Sequence, residues 1–302
     1  MTSFMLTSTT ASKIDAHLMK LRHQMGAPAI GMVLTLIVVA DEARQYDAVR
    51  AATEAAREHP SRILVVIPRD DDEGTRLDAE IRMGESTPGE VVLLRLYGEL
   101  TEHADSVVSP LLLPDTPVVA WWPIDCPQVP AKDPIGLLAQ RRITDAKASP
   151  DPVRAIRSRA DGYVPGDTDL AWTRLTPWRS LLAAAFDQPV GEVTEGLVVG
   201  AERNPSVCLL AAWLSERLGA PIRVGYGPGP GLTEVRLTAA AGEIVVTRQD
   251  ARQATLVRPG QAPRQVALAR RPASELLAEE LRRLDPDDVY ASAIRWLARE
   301  AV

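Results

Sequence analysis

The chain has 302 residues, a net charge of −6 and a pI near 5.4, with 46% hydrophobic and 25% charged residues. That length makes one large domain or two medium ones with a sizeable core, and the acidic balance argues against a general nucleic-acid or anionic-membrane binder. Two widely separated cysteines, Cys126 and Cys208, supply neither a disulfide framework nor zinc spacing, and they fit a reducing cytoplasm.

The first residues lack the basic-then-apolar pattern of a secretory leader. Ser12–Gln24 reads as a short amphipathic helix, with Ile14, Leu18 and Leu21 on one face and Ser12 as cap. Met32–Asp41 is a continuous apolar run, too short to span a bilayer and suited to a strand buried on both faces. An Ala-rich helix follows over Glu42–His59. Ser61–Arg69 is a second buried strand, and Asp70–Glu73 begins a polar loop whose acidic run reads as solvated, not as a metal site. Glu90–Gly98 is a third apolar strand. Thr101–Leu113 has helical spacing with Thr101 as cap, and Pro114-Asp115 stops it. TPVVAWWP is the next strand, Pro134–Arg141 a helix with Pro in its first turn, and Arg142–Ala146 a short strand.

The second half has another grammar. Asp167–Phe186 and Asn204–Leu218 are helical, Pro221–Gly227 is a strand, and Thr233–Ala269 alternates short strands and turns. Helices over Ala273–Leu284 and Pro286–Glu300 finish the chain. The expected fold is an N-terminal three-layer α/β domain with a mainly parallel sheet over residues 1–160. A C-terminal α+β domain with antiparallel strands and terminal helices covers 161–302, the boundary lying in the Pro/Gly-rich stretch Ala148–Gly166.

No catalytic constellation emerges. Gly225–Gly231, GYGPGPG, is a structural turn and not a phosphate loop, because Pro228 and Pro230 lack N–H donors and no Lys-Ser/Thr follows. Asp41 and Glu42 stand where a dinucleotide fold has glycines. His17, His23, His59 and His103 have no ligand spacing, Cys208 reads as a small core residue, and Cys126 sits beside Asp125. No catalytic, cofactor or metal residue is assigned.

What remains is aromatic and basic. Trp178 shares a helical stripe with Ala171, Leu175, Leu182 and Ala185 and is core. Trp172 lies off that stripe, near Arg179 in angle, and Arg174 falls inside it; Thr176-Pro177 could instead start a new helix, putting Trp172 and Arg174 on a separate segment. Trp121 and Trp122 face opposite sides of one strand end, one expected in the core and the other at the rim.

The strings LRLYGELTEHADSVVSPLLLPDTPVVAWWP, DPIGLLAQRRITDA, YVPGDTDLAWTRLTPWR and LAEELRRLDPDDVY resemble the OpcA family of glucose-6-phosphate dehydrogenase assembly proteins, in an actinobacterial form. The resemblance runs from about Thr35 to Tyr290. It implies a non-catalytic, cytoplasmic protein that binds glucose-6-phosphate dehydrogenase, promotes its active oligomer, and so supports the oxidative pentose phosphate pathway and NADPH supply. Trp121, Trp122, Trp172, Arg174 and Arg179, with Arg141 and Arg142 behind them, are the candidate partner contacts. Two rivals stand beside this reading: a self-associating scaffold, and a sugar-phosphate or nucleotide enzyme or sensor using the first domain's strand ends, where Asp41, Arg69 and Asp115 would converge.

Overall fold

Long apolar runs set the first sheet. The computed structural model describes residues 2–25, 31–69, 74–83, 89–248 and 250–299. The chain forms two units, Met1–Thr144 with Ala273–Asp285, and Asp145–Pro272 with Pro286–Val302.

The first unit runs β1 (Thr2–Leu6), α1 (Ala11–Met25), β2 (Leu34–Val39), α2 (Gln45–Ala55), β3 (Ser61–Arg69), β4 (Arg76–Met83), β5 (Gly89–Tyr97), α3 (Ala104–Val108), β6 (Val118–Trp122), α4 (Pro134–Leu138) and β7 (Arg141–Thr144). Its strands lie in the order β1-β4-β5-β3-β2-β6-β7. The run from β5 to β7 is parallel, while β1 and β4 are antiparallel additions. One sheet face, carrying Ile37, Leu64, Val92 and Trp122, packs on Ile14 and Leu18 of α1, Val107 of α3 and Ile135 of α4. Residues of the parallel strands are apolar on both faces because helices cover both.

Two strands and two helices differ from the sequence reading. β1 and β4 escape it because β4, RLDAEIRM, alternates charge with apolar residues. Its outward side forms ion pairs, Arg82 Nε to Glu80 at 2.7 Å and Arg76 Nε to Asp78 at 3.1 Å. The expected helix Thr101–Leu113 is broken into a 3-10 turn, α3, and a second 3-10 turn over Ser109–Leu111. Pro110 lacks the N–H an α-helix needs there, and Thr101 Oγ1 donates to Gly98 O at 2.8 Å without capping α3. The helix at Pro134 ends at Leu138, so Arg141 opens β7. Asp133 caps α4, accepting from Ile135 N at 2.9 Å. Asp70–Glu73, read as a solvated loop, lies outside the described residues.

The second unit holds α5 (Pro152–Asp161), β8 (Asp167–Asp169), α6 (Leu170–Thr173), α7 (Thr176–Ala185), β9 (Val193–Gly200), α8 (Pro205–Leu218), β10 (Ile222–Tyr226), β11 (Leu232–Ala239), β12 (Gly242–Arg248), β13 (Gln253–Val257) and β14 (Arg264–Ala267). The chain then returns to the first unit with α9 (Ala273–Arg282) and ends in the second with α10 (Asp288–Arg299). The sheet order is β10-β9-β11-β12-β13-β14, antiparallel except for β10 on β9. Val198, Val235, Leu237, Val246 and Leu256 turn one face into a core shared with Trp178, Leu209 and Ile294. Asp167–Phe186 is a short strand and two helices, α7 starting at the Thr176-Pro177 signal. The GYGPGPG stretch links β10 to β11 as a turn, with Gly229 and Gly231 at φ 99° and 83°.

Candidate functional site

The paired tryptophans of β6 face opposite sides of the sheet, as strand geometry requires. Both are 2% exposed. The expectation that one lines a rim is therefore corrected: Trp122 packs with Ile135 and Ala139 in the core, and Trp121 is equally buried. Trp121 Nε1 has no hydrogen-bond partner among the described residues.

Arg141 and Arg142 are 3% and 7% exposed. Arg141 donates through Nη2 to Glu280 and through Nη1 to Asp285 O at 2.8 Å, tying β7 to α9 within the first unit. Arg142 donates to Ala139 O at 2.8 Å. Both guanidiniums are committed to the chain itself.

In the second unit two candidates, Trp172 and Arg179, come together, while Arg174 pairs elsewhere. Trp172, 1% exposed, donates its indole N–H to Asp287 Oδ2 at 2.9 Å. Arg179 lies over the same ring at 3.8 Å, and Tyr290 tilts against it at 5.7 Å. Burial, together with Asp169 and Asp167, lifts the Tyr290 hydroxyl well above its ordinary pKa, so it stays a neutral donor. Arg174 forms a bidentate pair with Asp145, 2.7 Å in both arms. Burial alone would lower Arg174, but the Asp145 bonds and charge hold it above its usual value. Of the seven candidates only Arg174 and Arg179 keep solvent access.

The strand-end crevice does not assemble. Thr35 pairs with Val118 at the start of β2 and β6, and Val38 with Trp121 at their end. Asp41 follows β2, whereas Asp115 precedes β6, so the two lie at opposite ends of parallel strands, on the order of 20 Å apart at about 3.3 Å per residue. Asp41 caps Arg44 N at 2.7 Å and Arg69 reaches Glu42 at 3.1 Å. Among the described residues no group of three His, Cys, Asp or Glu could hold a metal ion. The Cys126 thiol donates to Pro127 O at 3.3 Å, and burial pushes the Cys208 thiol up. No helix among the described residues is long and apolar enough to cross a membrane.

A surface missed in the sequence is the outer face of the second sheet. Register places Leu197 and Val199 of β9 beside Glu234 and Arg236 of β11, with Thr247 and Thr255 further on. These residues are half-exposed. Arg236 joins the face to Glu234 at 3.0 Å and Glu243 at 2.8 Å. Gly225, opposite Val199 in β10, keeps it flat: a Cβ there would meet Leu197 Cδ1 at 3.3 Å. Tyr226 ends β10 with 65% exposure. β9 carried no turn signal or strict alternation, so the face could not be located from the sequence.

Comparison with known proteins gives two family models. One, described as the glucose-6-phosphate dehydrogenase subunit N-terminal domain, matches residues 52–161; the other, the C-terminal domain of the same subunit, matches 165–294. The chain is 27% identical to an OxPP cycle protein OpcA from Synechocystis sp. over 59% of its own length and 41% of the relative's. It is 32% identical to the protein of the same name from Synechococcus elongatus, over 43% of its length and 31% of the relative's. The chain thus spans less than half of either relative. Among solved structures, KijD10, a 3-ketoreductase from Actinomadura kijaniata, is 12% identical with a TM-score of 0.48, covering 88% of this chain and 95% of that one. A likeness of that size carries no functional argument.

Proposed function

The chain belongs to the OpcA family of glucose-6-phosphate dehydrogenase subunits, and from that premise we propose that it is a non-catalytic assembly factor. It binds glucose-6-phosphate dehydrogenase in the cytoplasm and favours the dehydrogenase's active oligomer, feeding the oxidative pentose phosphate pathway and NADPH supply. The observation that carries this reading is that both halves of one subunit family match in order, at 52–161 and 165–294. A binder shifts an oligomer equilibrium only through higher affinity for one state, so the required element is a surface and not a reacting group.

The outer face of the second sheet suits that task. It mixes apolar Leu197 and Val199 with the Glu234–Arg236–Glu243 charges, the pattern of a partner surface with a polar rim. Arg174 and Arg179 are the members of the original candidate set that solvent reaches. The test mixes the purified chain with the dehydrogenase and follows complex mass and dehydrogenase rate together. A heteromeric complex with lowered KM or raised kcat supports the proposal; separate species and an unchanged rate overturn it.

A further inference from the structure

The second unit contains a pocket of about 160 Å3 whose charged lining is entirely cationic: Lys147, Arg174, Arg248, Arg270 and Arg271. Among the described residues no Asp or Glu lines it, although the chain as a whole carries −6. Such a concentration of one sign in a small hollow costs free energy unless an anion fills it.

The cations are not equally satisfied. Arg174 is neutralised by its bidentate bond to Asp145. Arg270 donates to the carbonyl of Pro230, and Arg271 to that of Thr173. Lys147 and Arg248 have no carboxylate within ion-pair distance among the described residues. Arg248 lies over Trp178 at 4.9 Å, and its Nε is buried without a hydrogen-bond partner. Burial, with Arg270 beside it, lowers Arg248 to about 10, the direction expected of a cation awaiting a counter-ion.

Backbone completes the hollow. Asn204 and Ser206, at the first turn of α8, line it, and the positive end of that 14-residue helix adds to the field. The turn after β10 supplies Pro230 and Gly231. At Gly231, φ 83°, a Cβ would sit 3.9 Å from Arg270 Nε and 4.0 Å from Asn204 Nδ2, inside the space the cations surround. Leu175, Trp178 and Leu232 give an apolar floor.

We propose that this pocket binds a small phosphomonoester, its phosphoryl group held by Lys147, Arg248 and Arg270 over the first turn of α8 and its carbon body on Trp178 and Leu232. A dianion with three equivalent oxygens matches several converging donors, as a single carboxylate does not. The volume falls below the roughly 300–1,000 Å3 of drug-sized ligand sites, which selects a phosphorylated body of a few carbons over a nucleotide. The assignment does not rest on the assembly reading, since every residue is in one unit and no dehydrogenase is needed.

The test uses the full chain alone. Melting temperature and calorimetric binding are measured with inorganic phosphate, glycerol 3-phosphate, glycerol, and sodium chloride at matched ionic strength. Both phosphates are expected to give saturable one-site binding and a raised Tm, glycerol 3-phosphate more tightly; glycerol and chloride are expected to give neither. Lys147→Gln and Arg248→Gln each weaken binding at least tenfold, while the exposed Arg203→Gln leaves it unchanged; the Lys147 variant, altered at an exposed position, guards against misfolding at Arg248. The proposal is overturned if phosphate produces no saturable response, if chloride reproduces it, or if Lys147→Gln binds like the parent. Loss of dehydrogenase binding in that variant, with no phosphate response in the parent, would reassign the cations to a protein partner and equally overturn it.

Discussion

The Arg179 guanidinium lies 3.8 Å over the ring of Trp172, whose N–H is fixed 2.9 Å from Asp287 Oδ2. This sandwich joins α6, α7 and the start of α10 within the second unit. Asp287 also caps α10, accepting from Val289 N and Tyr290 N at 2.9 Å each. Trp172→Ala should lose about 3–5 kcal/mol of stability, the usual cost of deleting a large buried ring. Trp172→Phe keeps most of the packing but removes the donor, so it should lose only about 1–2 kcal/mol. Urea denaturation of both variants checks this; a Trp172→Phe chain as stable as the parent would show that the Asp287 bond contributes nothing, and equal losses would show that the ring packing contributes nothing.

Arg141 and Glu280 form a nearly dry pair, their side chains 4% and 6% exposed. Removing one partner strands the other charge. Glu280→Ala should therefore destabilise by about 3–5 kcal/mol, whereas Arg141→Met with Glu280→Leu should recover much of the loss. A double-mutant cycle by denaturant titration measures the coupling. Additive losses would show that Arg141 is held by the Asp285 carbonyl alone.

These pairs also show where the sequence was legible. The parallel strands could be read because β2 and β3 are apolar on both faces and cannot be placed anywhere but mid-sheet. The Pro134 and Thr176-Pro177 helix starts could be read because proline geometry is local, although Thr176 itself lies inside α7 and not at its cap. Burial of particular residues was not local. Trp172 and Arg141 look like contact residues in sequence, and only partners 115 and 139 positions away, Asp287 and Glu280, make them internal. β4 was invisible because its alternating charges find partners within the strand and on its neighbours. The cationic pocket was invisible because it gathers Lys147, Arg248 and Arg270 from three separate segments.

Arg248 makes stability depend on pH in a defined sense. Burial, with Arg270 beside it, holds its folded pKa at about 10, below its ordinary value in the unfolded chain. The native state therefore binds fewer protons between those values, and stability from this group rises as pH climbs through about 10. Below that the half-buried charge is a cost, discounted for solvent screening. Arg248→Met, which keeps the packing on Trp178, should raise the Tm of the phosphate-free chain at pH 7 by about 1–4 °C. Scanning calorimetry at pH 7 checks it; an unchanged or lower Tm would mean that the stacking on Trp178 outweighs the charge.

The outer sheet face yields a separation between folding and partner binding. Leu197 and Val199 are half-exposed, and their neighbours Gly225 and Glu234 leave room for a longer side chain on the solvent side. Val199→Lys should change stability by no more than about 0.5–1 kcal/mol, as surface substitutions do. If this face carries the dehydrogenase, a lysine at its apolar centre should cost about 2 kcal/mol of binding or more, roughly a thirtyfold loss of affinity. Arg223→Ala, at the strand edge where the residue pairs with Glu195 at 3.2 Å, should move affinity little because rim ion pairs contribute little. Analytical ultracentrifugation of each variant with the dehydrogenase, beside its melting curve alone, separates the two effects. A Val199→Lys chain that melts like the parent and still binds with parental affinity removes this face from the interface and leaves Arg174 and Arg179 as the candidates to examine.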